Sequence, residues 1–128
     1  MARPIASVIV SARNNSKGLA ECVNALLKQR SSISYEVHFV DQDSSDGTYS
    51  LARRLTKGQP NFFVWKEKKP GTAAAKNHGA KKARGKVLLF TDAHCRPGAR
   101  WVEEMAKPLL EPAHYPLGAV GGDTEHKE

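Results

Sequence analysis

Strand-length apolar runs alternate along this chain with stretches whose apolar residues recur at helical spacing, and this alternation limits the fold more than any other feature. Ala6 to Ala12 is apolar and rich in β-branched residues, the pattern of a strand buried on both faces. After the polar turn Arg13-Asn14-Asn15-Ser16, which offers Asn or Ser as a helix N-cap, come Leu19, Cys22, Val23, Leu26 and Leu27 on one helical face. Val37 to Val40 predicts a second buried strand. The polar run Asp41 to Thr48, rich in capping groups, leads from it into a helix carrying Leu51, Ala52 and Leu55. Phe62 to Trp65 predicts a third strand, and Thr72 to Ala83 an alanine-rich helix whose Gly79 and Ala80 permit close approach to a sheet. Val87 to Phe90 is a fourth strand, and Val102, Met105, Ala106 and Leu109 mark a fourth helix. A last strand is expected near Leu117 to Val120. Such alternation implies an α/β fold, a mostly parallel open sheet with helices on both faces.

A length of 128 residues suits a single domain with one core, and no repeat or linker divides it. The longest apolar runs are strand-sized, too short to span a bilayer, and the N-terminus has no signal-peptide pattern. The expectation is a cytoplasmic protein, with peripheral contact at a membrane surface as an option. Cys22 and Cys95, two cysteines in a chain expected in the cytoplasm, read as reduced thiols, and no CxxC pair suggests a structural zinc. The net charge of +7 favours anionic partners without choosing among them.

In open α/β sheets, ligands bind beyond the carboxyl ends of the strands. The three most polar loops here follow strands, beginning at Arg13-Asn14, Asp41-Gln42-Asp43 and Asp92-Ala93-His94. If the chain stays extended after the fourth strand, Asp92 and His94 leave on the same face and can share a cation. A carboxylate with an imidazole suits Mn²⁺ better than Ca²⁺, and Mg²⁺ also fits. The competing reading makes Asp92 a turn cap and His94 a polar loop residue, and spacing by itself leans that way. Asp41 could accept an N–H from a base or close an Asx-type turn. Lys76 could meet a phosphate or be a solvated lysine, the default for a single lysine.

Four stretches together carry a resemblance: Ser7 to Asn14, Val40 to Thr48, Gly71 to Ala80 and Gly85 to Pro97. In order and spacing they resemble a family 2 glycosyltransferase, a Rossmann-like GT-A fold, over nearly the whole chain. The resemblance implies transfer of a sugar from a nucleoside-diphosphate-sugar donor, by inversion, with a divalent metal. It implies that Ala12 and Arg13 lie against the nucleoside, that Asp41 bonds the base, and that Lys76 and Asn77 lie near the donor. Asp92 matches the first acid of the family's DxD motif. The third position is His94, and the resulting DxH is similar to that of polypeptide N-acetylgalactosaminyltransferases, which implies that His94 also binds the metal. The chain departs from the pattern at Gln42, where a second acid is usual, and at Asp43, which takes a glycine position; both bear on base preference.

The family's acceptor site and catalytic base lie in a second half, beyond a strand resembling Ala119 to Gly122. Residues 1–128 therefore read as a single donor-binding domain without that half, and no residue matches a catalytic base. The acceptor, a glycan, lipid or protein, is left open. An open sheet edge invites a second copy or a partner chain to complete the fold. The alternative is a non-catalytic nucleotide-sugar-binding module or a fragment. Nucleic-acid binding is disfavoured because the basic residues from Lys66 to Lys86 match no docking motif. A dinucleotide-binding dehydrogenase is set aside for want of G-x-G-x-x-G after the first strand.

Overall fold

The computed structural model describes residues 3–111. They form β1 (Ala6–Ala12), α1 (Leu19–Leu27), β2 (Tyr35–Asp41), α2 (Thr48–Leu55), β3 (Phe62–Lys66), α3 (Thr72–Lys82), β4 (Val87–Asp92) and α4 (Trp101–Leu110). Each coincides with an element expected from the periodicity. The strand expected at Leu117 to Val120 lies outside the described residues.

All strand pairs are parallel, in the order β3-β2-β1-β4. The chain steps outward from β1 to β2 to β3, then returns across both to place β4 on the far side of β1. Because crossovers between parallel strands are right-handed, reversing direction sends the connecting helix to the opposite face. That is where α3 lies. Gly79 sits so close to the sheet that a Cβ there would come 2.6 Å from Ile9 Cγ2 and 3.2 Å from Val40 Cγ2. On the other face α1, α2 and α4 enclose the main core, in which Val8, Val10, Val37, Phe39 and Leu89 meet Leu19, Leu26, Ala52 and Val102. Alternate residues of β1 thus serve opposite faces, and every residue of the strand is buried.

One expectation at the helix starts is corrected. The residue at the N-cap of α1 is Gly18, with no side-chain bond, rather than an Asn or Ser of the preceding turn. Polar groups of that turn reach instead across 30 or so residues: Asn14 N–H donates to Ser44 Oγ (2.8 Å), Ser45 N–H to Asn14 Oδ1 (2.9 Å) and Asn15 N–H to Thr48 Oγ1 (2.9 Å). In the second loop the N-cap of α2 is likewise a glycine, Gly47, without a side-chain bond, but the residue before it bonds locally. Asp46 Oδ1 accepts the Thr48 N–H at 3.1 Å and also the Thr48 hydroxyl, while Oδ2 accepts the Ser16 N–H at 3.1 Å. The Thr48 hydroxyl bond heads the interactions that hold the Asp46 carboxyl down at about 2. Local capping competes with ties between loops, and the first loop resolves in favour of the ties.

At the amino ends of the strands a buried carboxylate closes the sheet. Glu36 accepts from Ser7 Oγ (2.7 Å), from Arg84 N–H (2.8 Å) and from the Arg84 guanidinium (3.1 and 2.9 Å), with His38 Nε2 at 3.0 Å. Burial pushes its carboxyl up, but the bonds from Arg84, His38 and Ser7 outweigh burial and hold it at about 2. This knot fixes the link between α3 and β4 far from the polar strand ends.

Candidate functional site

A cavity of about 370 Å³ opens at the carboxyl ends of β1 and β4. This is where the strand order reverses: the loops after β1 and β4 lead to α1 and α4 on one face, while the chain arriving from β3 enters α3 on the other, and a crevice opens between them. Ser11 and Thr91 come from the strand ends, with Arg13 and Gln42 from the loops after β1 and β2. Asp92 and His94 form one wall; Gly71, Thr72 and Lys76 form another.

Register brings the polar ends together. Ser11 pairs with Asp92 and Ala12 with Asp41, so three strands finish at one level. Asp92 Oδ1 accepts the His94 N–H at 2.9 Å. The backbone turns at Ala93 and His94 rather than staying extended, because the carboxylate closes the turn. The turn-capping role is therefore real, yet both side chains still line the same cavity, with Asp92 Oδ2 free of that bond and the His94 ring exposed. Among the described residues no group of three or more His, Cys, Asp or Glu side chains could hold a metal. One carboxylate oxygen and one imidazole facing a roomy cavity fit a cation that takes its remaining ligands from a bound anion.

The opposite wall is built for negative charge. Gly71, at φ +103°, turns the chain into α3 with a backbone that L side chains rarely adopt. The first N–H groups of α3 therefore open at the cavity, where no side chain caps them. Lys76 stands one turn further, its Nζ 5.9 Å from the Phe90 ring centroid, and Arg13 supplies a second cation.

The remaining expected residues divide. Asp41 is 2% exposed and is not among the residues lining the cavity. Its Oδ2 accepts the Ser44 N–H at 3.0 Å, an Asx-type turn, whereas Oδ1 is buried with no partner among the described residues. Ala12 is buried too, its carbonyl accepting the Gln42 N–H at 2.8 Å, so it shapes the base of the loop rather than the lining. Asn77 departs from expectation. It follows Lys76 by 100° around the helix and lines a different cavity.

A family model described as Glycosyl transferase family 2 matches residues 7–126. The chain belongs to that family. Its relatives include the glycosyltransferase AglE of Haloferax volcanii, 34% identical over 124 residues, which cover 95% of this chain and 40% of AglE. A dolichol-phosphate mannosyltransferase of Pyrococcus furiosus is 25% identical over 94% of this chain and 35% of its own length. The chain thus spans less than half of the curated relatives it matches. Among solved structures, the mannosyltransferase PcManGT from Pyrobaculum calidifontis, in complex with GDP-Man and Mn²⁺, superposes with a TM-score of 0.74 at 29% identity, over 88% of this chain and 34% of that one. S. aureus TarS 1-349 in complex with UDP gives 0.71 at 26%, over 82% and 32%.

For a family 2 domain, reading the sequence missed Ser11, Gln42, Thr72 and Thr91 in the cavity lining. Ser11 and Thr91 carried a usable signal: each is a hydroxyl at the carboxyl end of a buried strand, paired in register with the strand beside it. Gln42 stands in a polar strand-end loop and departs from the family pattern, and neither feature by itself marks it as lining.

Proposed function

We propose that this family 2 domain holds a nucleoside-diphosphate sugar in the strand-end cavity through a divalent cation at Asp92 and His94, as the donor half of a glycosyltransferase. One observation carries the reading: a single cavity at the strand-order reversal combines an oxygen and a nitrogen ligand on one wall with Arg13, Lys76 and an uncapped helix N-terminus on the other. A diphosphate bears two or more negative charges, and these groups complement it from both sides. Mn²⁺ or Mg²⁺ bound there would neutralise charge developing on the departing diphosphate. Asp41 accepts an N–H from the base if the loop carrying Ala12 and Arg13, which borders the nucleoside, uncovers its unpartnered Oδ1. The GDP-Man and Mn²⁺ held by PcManGT, and the UDP held by TarS, support this class of ligand.

Among the described residues Asp92 is the one carboxylate in the lining, and held by a cation it is not available as the general base for an acceptor hydroxyl. That observation favours, as the second reading, a domain that binds donor and transfers nothing without a further segment or a partner chain.

Calorimetric titration of UDP and GDP, in Mn²⁺ and then in EDTA, tests the site. Metal-dependent binding of one nucleotide is expected, weakened about tenfold or more by Asp92→Ala and by His94→Ala, a factor of ten being about 1.4 kcal/mol. Binding that ignores EDTA and both substitutions would sink the metal assignment. Incubating sugar nucleotide with candidate acceptors then separates a transferase from a binding module.

A further inference from the structure

A second cavity, of about 360 Å³, lies along α3 on the side toward β3, and its lining shares no residue with the strand-end cavity. Glu67 and Lys69 enter it from the loop after β3; Asn77, His78, Lys81 and Lys82 enter from α3. A run of lysines on a helix is ordinarily a solvated face. Here exposed lysines from two elements line one cavity beside a fixed His78–Glu67 pair. His78 Nδ1 is 3.0 Å from Glu67 Oε1, and Glu67 Oε2 accepts the Lys69 N–H at 3.0 Å. Backbone donation from Lys69, together with the His78 bond, keeps the Glu67 carboxyl below its usual range, so it remains an anion and an acceptor.

Both carboxylate oxygens are thus engaged. The donors left to the cavity are the Lys69, Lys81 and Lys82 ammonium groups and the Asn77 amide N–H groups, joined by His78 Nε2 on protonation. No carboxylate among the described residues forms an ion pair with any of the three lysines. Trp65, behind two of the lining residues, steadies the arrangement, since Lys82 Nζ lies 4.5 Å from its ring centroid and His78 stands 6.0 Å from the same ring. Three cations against one committed carboxylate leave a surplus of positive charge inside a concavity with anchored walls.

We propose that this cavity is a second ligand site, which binds a phosphate group separately from the strand-end cavity. The group arrives on a soluble phosphoester or on a phospholipid headgroup, whose recognition chemistry is the same. The assignment does not depend on the donor site.

Trp65 lies against His78 and Lys82 and reports on the cavity, so its fluorescence is followed in a Trp101→Phe background without metal or nucleotide. The probes are inorganic pyrophosphate, sulfate at matched ionic strength, and vesicles of phosphatidylcholine with and without phosphatidylglycerol. A saturable response to pyrophosphate, or to the anionic vesicles alone, is expected; the first identifies a soluble source and the second a headgroup. In either case the double substitution Lys69→Ala, Lys81→Ala, at two exposed positions, should weaken binding about tenfold or more, and Arg13→Ala should leave it unchanged. The proposal is overturned if neither probe produces a response, or if sulfate reproduces it. It is overturned equally if the lysine substitutions have no effect, or if Arg13→Ala abolishes binding and so moves it to the strand-end cavity.

Discussion

Single residues in this domain hold two kinds of tension. Asp92 has one oxygen committed to closing a turn and the other free of that bond, so one carboxylate both holds the backbone and lines the cavity. Glu36 is the opposite case, wholly committed and 1% exposed. Replacing it by Gln removes the charge that Arg84, Ser7 and His38 converge on, and should cost about 2 kcal/mol near neutral pH, within the range for buried charge-assisted hydrogen bonds. Because its folded-state carboxyl sits at about 2 against an ordinary 4.5, this contribution is full above the ordinary value and is lost as pH falls toward 2. Urea denaturation of Glu36→Gln and the unsubstituted protein at pH 7 and pH 3 checks both points; the gap between them should narrow at pH 3. An equal gap at the two pH values would mean that Glu36 acts through packing and not through its charge.

At the scale of elements, α3 connects the two cavities. Its first turn faces the strand-end crevice, its Lys76 serves the same wall, and its outer side from Asn77 to Lys82 lines the second cavity. The helix can do this because Gly79 lets it lie close on β1 and β2. Gly79→Ala gains up to about 1 kcal/mol in helix propensity. The added Cβ meets Ile9 Cγ2 at 2.6 Å, however, and overpacking a buried contact costs about 1–3 kcal/mol. Both neighbours are β-branched and buried, so they yield little, and net destabilisation is expected in thermal melts. A rise in Tm for Gly79→Ala would show that α3 rides loosely on the sheet. Gly71 is the element's other constraint: at φ +103°, Gly71→Ala should strain the entry to α3 by about 1–3 kcal/mol. Misplaced first-turn N–H groups should then weaken nucleotide binding in the titration described above. Unchanged affinity would remove the helix N-terminus from the site.

For the whole molecule, a ligand that binds only the folded state adds stability by mass action, about 2.7 kcal/mol at a hundredfold excess over Kd. Nucleotide with Mn²⁺ should therefore raise Tm, and EDTA should cancel the rise; a rise that survives EDTA contradicts metal-bridged binding. The order of elements, the buried parallel strands and the polar strand ends were all legible in the sequence, since apolar periodicity is a local property of the chain and the elements lie close to where it put them. The family's motifs, read in register, likewise pointed to Arg13, Lys76, Asp92 and His94, all of which line one cavity. Caps and linings were less legible. Asn14 and Asn15 have the composition of caps, but partners some 30 residues away take up their backbone and side-chain groups, and nothing local predicts that competition. Asn77 looked like a donor-site residue because it follows Lys76, yet helical rotation turns it toward a different cavity. Local pattern fixed which segments become strands and helices. Only tertiary packing, by reversing the strand order beside β1 and setting α3 down on Gly79, decided which polar groups share a cavity, because that depends on distances between residues far apart in the chain.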